Sequence, residues 1–142
     1  MTENIGMTWE ECREQFREWR TQYEADAEQD DDEHYQQACN YFIQKAYYML
    51  PLIDALEKSD IKVGTKLASH HALYLGLHAN YFPGGFSVQI SWDQFIEKYY
   101  VRLLVSGERD KAELPFTEML PTIQRYLLHL QDIENELDNN PE

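Results

Sequence analysis

The sequence predicts an all-α fold, a bundle of four to five helices with a short extended segment near residues 86–90. Three observations carry that expectation. Apolar residues recur every three or four positions over several long stretches, the period of a helix with one buried face. Two capping boxes, Thr8 with Glu11 and Ser91 with Gln94, mark places where a hydroxyl and a carboxylate or amide can satisfy each other's free backbone amides. Gly64, Ala68, Ala72 and Gly76 stand at four-residue steps, which on a helix makes a ridge that a neighbouring helix can approach closely.

Trp9, Cys12, Phe16, Trp19 and Tyr23 put five apolar side chains on one stripe of the first helix, started by the Thr8 capping box. Its end is expected at Asp30, Asp31, Asp32 and Glu33, because adjacent carboxylates repel one another along a continuous helix but suit the positive end of the next. Tyr35, Ala38, Phe42, Ala46, Met49, Ile53 and Leu56 continue the period through a second helix, which Pro51 should kink about a turn before its end. A third helix is predicted from Asp60 to about Tyr81, stopped by Pro83, Gly84 and Gly85. Phe86, Val88 and Ile90 alternate with Ser87 and Gln89, the signature of a short extended piece. The Ser91 box then starts a fourth helix running to about Ser106, with Gly107 as its stop. After a loop containing Pro115, Ile123, Leu127, Leu130, Ile133 and Leu137 carry a fifth. The whole, residues 1–142, reads as a single helical domain with acidic ends that fray at 1–7 and 139–142.

Composition narrows the class. A chain of 142 residues can bury roughly 70% of the surface it would expose unfolded, so no disulfide or metal is needed to hold it. Two cysteines, no basic segment followed by an apolar run, and no apolar stretch near the roughly 20 residues that span a bilayer point to a soluble protein of the cytoplasm. The net charge of -14 comes from the ends: residues 1–34 hold twelve acids against three arginines, residues 132–142 hold five acids and no base, and the middle holds nine of each. Two acidic ends around a neutral body predict one surface of negative potential, which attracts cationic partners and repels nucleic acid.

No catalytic, cofactor or metal site is predicted. His70 and His71 are adjacent and diverge on a helix, and His78 lies two turns beyond, so the i, i+4 pairing of helical zinc sites is absent. Cys12 sits on an apolar stripe and Cys39 beside Ala38, places for small buried hydrophobes rather than nucleophiles. Gly84 and Gly85 lack the lysine and strand-to-helix context of a phosphate loop. Lys58, Lys62, Lys66 and His70 form at most a short basic stripe, read as a solvated face.

What remains is a protein-binding surface. Glu10, Glu14 and Glu18 stack at four-residue intervals opposite the apolar stripe, an arrangement that local stability does not favour, and Arg13 and Arg17 interrupt it. The adjacent pairs Tyr47–Tyr48 and Tyr99–Tyr100 cannot both bury in one narrow stripe, so some tyrosines must reach the surface, where they make good binding anchors. The candidate partner-binding residues are therefore Glu10, Glu14, Glu18, Asp30, Asp31, Asp32, Glu33, Tyr48 and Tyr100. By analogy of size and charge with anti-restriction, anti-CRISPR and nuclease-immunity proteins, the expected role is a non-enzymatic inhibitor that masks a cationic, nucleic-acid-binding surface of a basic protein target. The alternatives are a homodimeric structural, adaptor or chaperone protein using the aromatic stripe of the first helix, and a histidine-based metalloenzyme.

Overall fold

Thr8 opens the first helix as its capping box predicts: Thr8 Oγ1 accepts from Glu11 N at 3.0 Å, and Glu11 Oε1 accepts from Thr8 N at 2.9 Å. Helix α1 spans Trp9–Gln29 and buries Cys12 and Phe16. Three residues then reverse the chain, and α2 spans Glu33–Lys58, with Asp32 as its N-cap accepting from His34 N at 2.9 Å. The two helices pack along one another as a hairpin. Pro51 does not end α2, whose buried residues continue through Leu52, Ile53 and Leu56.

Beyond α2 the computed structural model, which describes residues 6–78 and 86–139, departs from an all-α bundle. The fold is α+β: the described residues form three α-helices and a five-stranded antiparallel sheet in the order β1-β2-β3-β4-β5. The segment expected as the third helix forms the hairpin of β1 (Thr65–Ser69) and β2 (Ala72–Gly76). The expected extended piece is part of β3 (Ser87–Asp93), and the expected fourth helix is the end of β3, a turn, and β4 (Lys98–Leu104). The stretch expected as a loop before Pro115 is β5 (Glu108–Leu114). A short 3-10 turn, Phe116–Glu118, leads into α3 (Met119–Asn139), the helix expected from Ile123 onward. The predicted stop at Pro83, Gly84 and Gly85 lies outside the described residues.

Period explains the misreading. Residues four apart share a face in a strand as well as in a helix, so the pairs Gly64 with Ala68 and Ala72 with Gly76 fit either, although the register puts the two pairs on opposite faces of the sheet. Their small size serves a close approach of backbones, not of helices: Gly64 N donates to Gly76 O at 2.8 Å, and a Cβ on Gly64 would lie 2.2 Å from Leu77 O. Ser91 caps nothing; it lies in β3, and its Oγ donates to His71 O at 3.1 Å. Gly107, expected as a helix stop, takes φ 116 in the turn between β4 and β5.

The register sorts the sheet into two faces. On one, Leu73 opposes Ile90, which opposes Val101, while Leu75 opposes Val88, which opposes Leu103, and Trp92 opposes Tyr99. These side chains are buried with Met49, Leu52, Ile53 and Leu56 of α2 and Ile123, Tyr126, Leu127 and Leu130 of α3 in one core. Each fully buried leucine or isoleucine contributes roughly 1.5–3 kcal/mol, so this layer supplies most of the folding drive. On the other face Tyr74 opposes Gln89, Gln89 opposes Arg102 and Arg102 opposes Lys111, a polar row across four strands.

Both sheet edges are managed. Met7 N donates to Lys66 O at 2.8 Å and Met7 Sδ accepts from Ala68 N at 3.3 Å, so Met7 is tied to β1 rather than frayed; residues 1–5 and 140–142 lie outside the described residues. At the other edge β5 carries Glu108, Arg109, Asp110, Lys111 and Glu113, charges that discourage a further strand. Among the described residues no helix is long and apolar enough to cross a membrane.

Gly64→Ala forces its new methyl group into the Leu77 carbonyl, so it should destabilise the fold by roughly 1–3 kcal/mol. Urea unfolding is expected to show a lower midpoint at unchanged slope. An unchanged midpoint would mean that the approach of Gly64 to the Leu77 carbonyl is not as close as described.

Candidate functional site

The acidic residues of the amino-terminal third divide into a paired group and an unpaired one. Arg13, only 12% exposed along its side chain, sits among three carboxylates: Glu10 Oε2 at 2.8 Å on its own helix, and Asp54 Oδ1 at 3.0 Å and Glu57 Oε1 at 2.7 Å on α2. Arg17 binds Glu14 at 2.5 Å and Glu10 at 3.2 Å. The Arg13 hydrogen bond holds the Glu10 carboxyl below the usual carboxylate range. Glu10 and Glu14 are thus paired with arginines of their own helix, while Arg13 reaches across to Asp54 and Glu57 of α2, which leaves Glu18 as the one member of the predicted row outside this network.

The hairpin tip is different. Glu28, Asp31, Asp32 and Glu33 are exposed, Asp30 is half-buried, and Glu24 with Arg20 at 3.4 Å is the one acid of this end in a described ion pair with a cation. Two of the carboxylates have local work: Asp30 Oδ1 accepts from Asp32 N at 2.8 Å, and Asp32 caps α2. Both carboxylates shape the turn at the positive end of α2. Glu134 of the carboxy-terminal helix does not join them. His71 packs beside α1 and α2 at one end of β2, whereas His78 meets Glu134 of α3 at 2.7 Å at the other end. Among the described residues, Glu134 therefore lies at the opposite end of β2 from the hairpin tip.

Next to the tip lies an apolar groove of about 470 Å³, lined by residues that include His34, Ala38, Tyr41, Phe42 and Phe95. Its rim is Phe95, 81% exposed in the β3–β4 turn, with Ile96 beside it, and Tyr41 stacks on Phe95 at 5.5 Å. The turn is built from Asp93, whose Oδ1 accepts from Phe95 N at 2.8 Å, and Glu97 at φ 52. Holding a phenylalanine out in water forgoes most of its burial free energy, so this turn is poorly explained by folding alone. Sequence reasoning missed Phe95 and Ile96 because it placed them inside a helix.

The predicted tyrosine anchors are otherwise engaged. Tyr48 stacks on Trp92 at 3.9 Å and its carbonyl accepts from Tyr99 Oη at 2.7 Å; the exposed member of that pair is Tyr47. Tyr100 is half-buried on the polar face of the sheet. Cys12 and Cys39 are buried, and burial pushes the Cys12 thiol up to about 11, far from a nucleophile's range.

The histidines do not share a helix. His70 and His71 form the β1–β2 turn at φ 52 and 62, a left-handed pair in residues other than glycine. His71 packs within 4.7 Å of Trp19 and 4.3 Å of Phe42, and its Nε2 lies 3.0 Å from Tyr23 Oη. Burial pushes its pKa down, helped by Lys45 and His70. Among the described residues no group of three His, Cys, Asp or Glu side chains is placed to hold a metal ion. The basic stripe also dissolves: Lys58 ends α2, Lys66 lies in β1 over the Trp9 ring at 5.0 Å, and His70 is in the turn.

Comparison with protein-family models, curated proteins and solved structures finds no match. The site is read from its own geometry.

Because the folded pKa of His71 lies below its unfolded value of 6.5, the unfolded chain binds the extra proton first as pH falls. Stability present above pH 6.5 is therefore lost as pH drops toward the folded value. Thermal unfolding should show Tm falling between about pH 7 and pH 5.5, with that fall flattened in His71→Asn, a residue that tolerates the left-handed turn. Parallel slopes in the two proteins would remove His71 as the cause.

Proposed function

We propose that the protein is a non-enzymatic binding factor whose α1–α2 tip and Phe95 turn together engage a basic protein, in the manner of an inhibitor that covers a nucleic-acid-binding surface. The observation that supports this reading is the juxtaposition of unpaired carboxylates, Asp31 and Glu33 foremost, with an exposed phenylalanine at the rim of an apolar groove. Carboxylates speed the encounter and compete with phosphates for the same cations; the aromatic rim supplies the short-range affinity that charge alone lacks. The proposed contact set keeps Asp30, Asp31, Asp32 and Glu33 and adds Phe95, Ile96 and Tyr35. It assigns a minor part to Glu10 and Glu14, whose charges Arg13 and Arg17 already meet.

The adaptor alternative relied on the aromatic stripe of the first helix continuing into a partner. Phe16 is buried and packs edge-on against Trp19 at 4.9 Å, and Trp19 in turn covers His71, so most of that stripe is used within the chain. This favours the tip over the stripe as the contact surface.

Affinity capture from a host extract, with wild type and an Asp31→Asn, Glu33→Gln variant side by side, tests the reading. A basic nucleic-acid-binding protein should be retained by wild type, elute as salt rises from about 50 to about 500 mM, and be lost from the variant. Phe95→Ser should weaken retention about tenfold or more without changing its salt dependence. Equal retention at both salt levels, or by the charge variant, would contradict an acidic docking surface.

A further inference from the structure

A lysine buried without a carboxylate partner is unusual in a chain with 26 acids, and Lys45 is such a residue. It is 7% exposed, and among the described residues no ion pair or hydrogen bond reaches its ammonium; its neighbours are the rings of Tyr41 at 4.9 Å and Tyr100 at 5.9 Å. Arg102 Nε is the one buried side-chain nitrogen or oxygen among the described residues without a hydrogen-bond partner, so the tip of Lys45 keeps some contact with solvent. An unpaired buried charge costs several kcal/mol in general, and two ring faces recover only part of it.

The surroundings are cationic on one side. Arg102 Cζ lies 5.4 Å and Lys111 Nζ 5.7 Å from the same Tyr100 ring. Their counterions are local: Glu108 stands 2.9 Å from Arg102 Nε, an ion pair by distance that lacks hydrogen-bond geometry, and Glu113 stands 3.5 Å from Lys111 Nζ. Lys45 has no equivalent. Asp93 acts on it only at longer range, and one Asp93 oxygen is committed to the Phe95 amide. Gln89 adds polar groups at the border, its amide donating to Tyr74 Oη at 3.0 Å and accepting from Arg102 at 3.3 Å.

We infer that Lys45, framed by Tyr41 and Tyr100 and backed by Arg102 and Lys111, is a binding site for a small oxyanion, a carboxylate or a phosphate group. The ammonium supplies both the charge and the hydrogen-bond donors, and the two paired cations add potential without occupying the site. This site is separate from the acidic tip, and it takes a ligand of opposite sign. It stands whether or not the tip binds a protein.

The test is thermal unfolding of the full chain in sodium phosphate or sodium acetate against sodium chloride at equal ionic strength. A saturable rise in Tm is expected with phosphate, acetate or both, and the pattern identifies which oxyanion the site takes. Lys45→Met should abolish the rise, Lys45→Arg should keep it, and Lys62→Gln, remote from Tyr100, should leave it unchanged. Should Lys45→Met fail to fold, Tyr100→Leu takes its place, with at least a tenfold weaker midpoint of the anion effect expected. No anion-specific rise in wild type, or an equal rise in Lys45→Met or Tyr100→Leu, overturns the proposal and leaves Lys45 as a cation held by ring faces alone.

Discussion

Like-charge repulsion at the amino terminus is the constraint to which the rest of the structure answers. Residues 1–34 carry twelve acids and three arginines, yet α1 must lie along α2 with only three residues to turn in. Arg13 solves the problem at one end by meeting Glu10, Asp54 and Glu57 at once, with its own side chain mostly covered. A desolvated guanidinium with several acceptors is worth more than an exposed pair, although its carboxylate partners are themselves wet and the gain is correspondingly modest. Cys12 and Phe16 complete the seam by joining the core. Nothing comparable discharges the other end. The same hairpin is therefore partly compensated by two arginines where it is anchored and uncompensated at the Asp31–Glu33 tip where it projects.

The sheet fixes where that negative end points. The β1–β2 turn places His71 against Trp19, Tyr23 and Phe42, and the β3–β4 turn places Phe95 against Tyr41. Two strand turns thus brace the tip half of α2, while its other half supplies Met49, Leu52, Ile53 and Leu56 to the core. One long helix serves two environments. The passage between them is marked by Lys45, Tyr48 and Trp92, where a stacked aromatic pair closes the core and a buried lysine lies over the Tyr41 ring.

The helical hairpin was legible because its signals are local: a capping box, a three-four spacing and an acidic break. The sheet was hidden for reasons equally physical. Lys66 to Gly76 contains leucine and alanine but no β-branched residue, and its turn is two histidines instead of the glycine or asparagine that normally announces a hairpin. Strand β5 is almost wholly charged and holds its place only by pairing with β4. Yet Tyr99, Val101 and Leu103 alternate with Tyr100, Arg102 and Leu104, a period-two signal present in the chain that a glutamine three residues after Ser91 outweighed. At the site, the run from Asp30 to Glu33 could be found from charge alone. The discharge of Glu10 and Glu14 by Arg13 and Arg17 was half visible in their spacing, but Asp54 and Glu57 lie more than forty residues away and could not be paired in advance. Phe95 required knowing that its neighbours form a turn.

The central claim, that negative potential concentrates at the hairpin tip and not along the first turns of α1, is open to direct mapping. Amide relaxation in the presence of a cationic paramagnetic probe, divided by that with a neutral probe of the same size, reports the potential residue by residue. Excess enhancement should peak over residues 28–36 and the neighbouring 94–96, and stay low over residues 10–17. A uniform ratio, or a maximum at residues 10–17, would contradict the account.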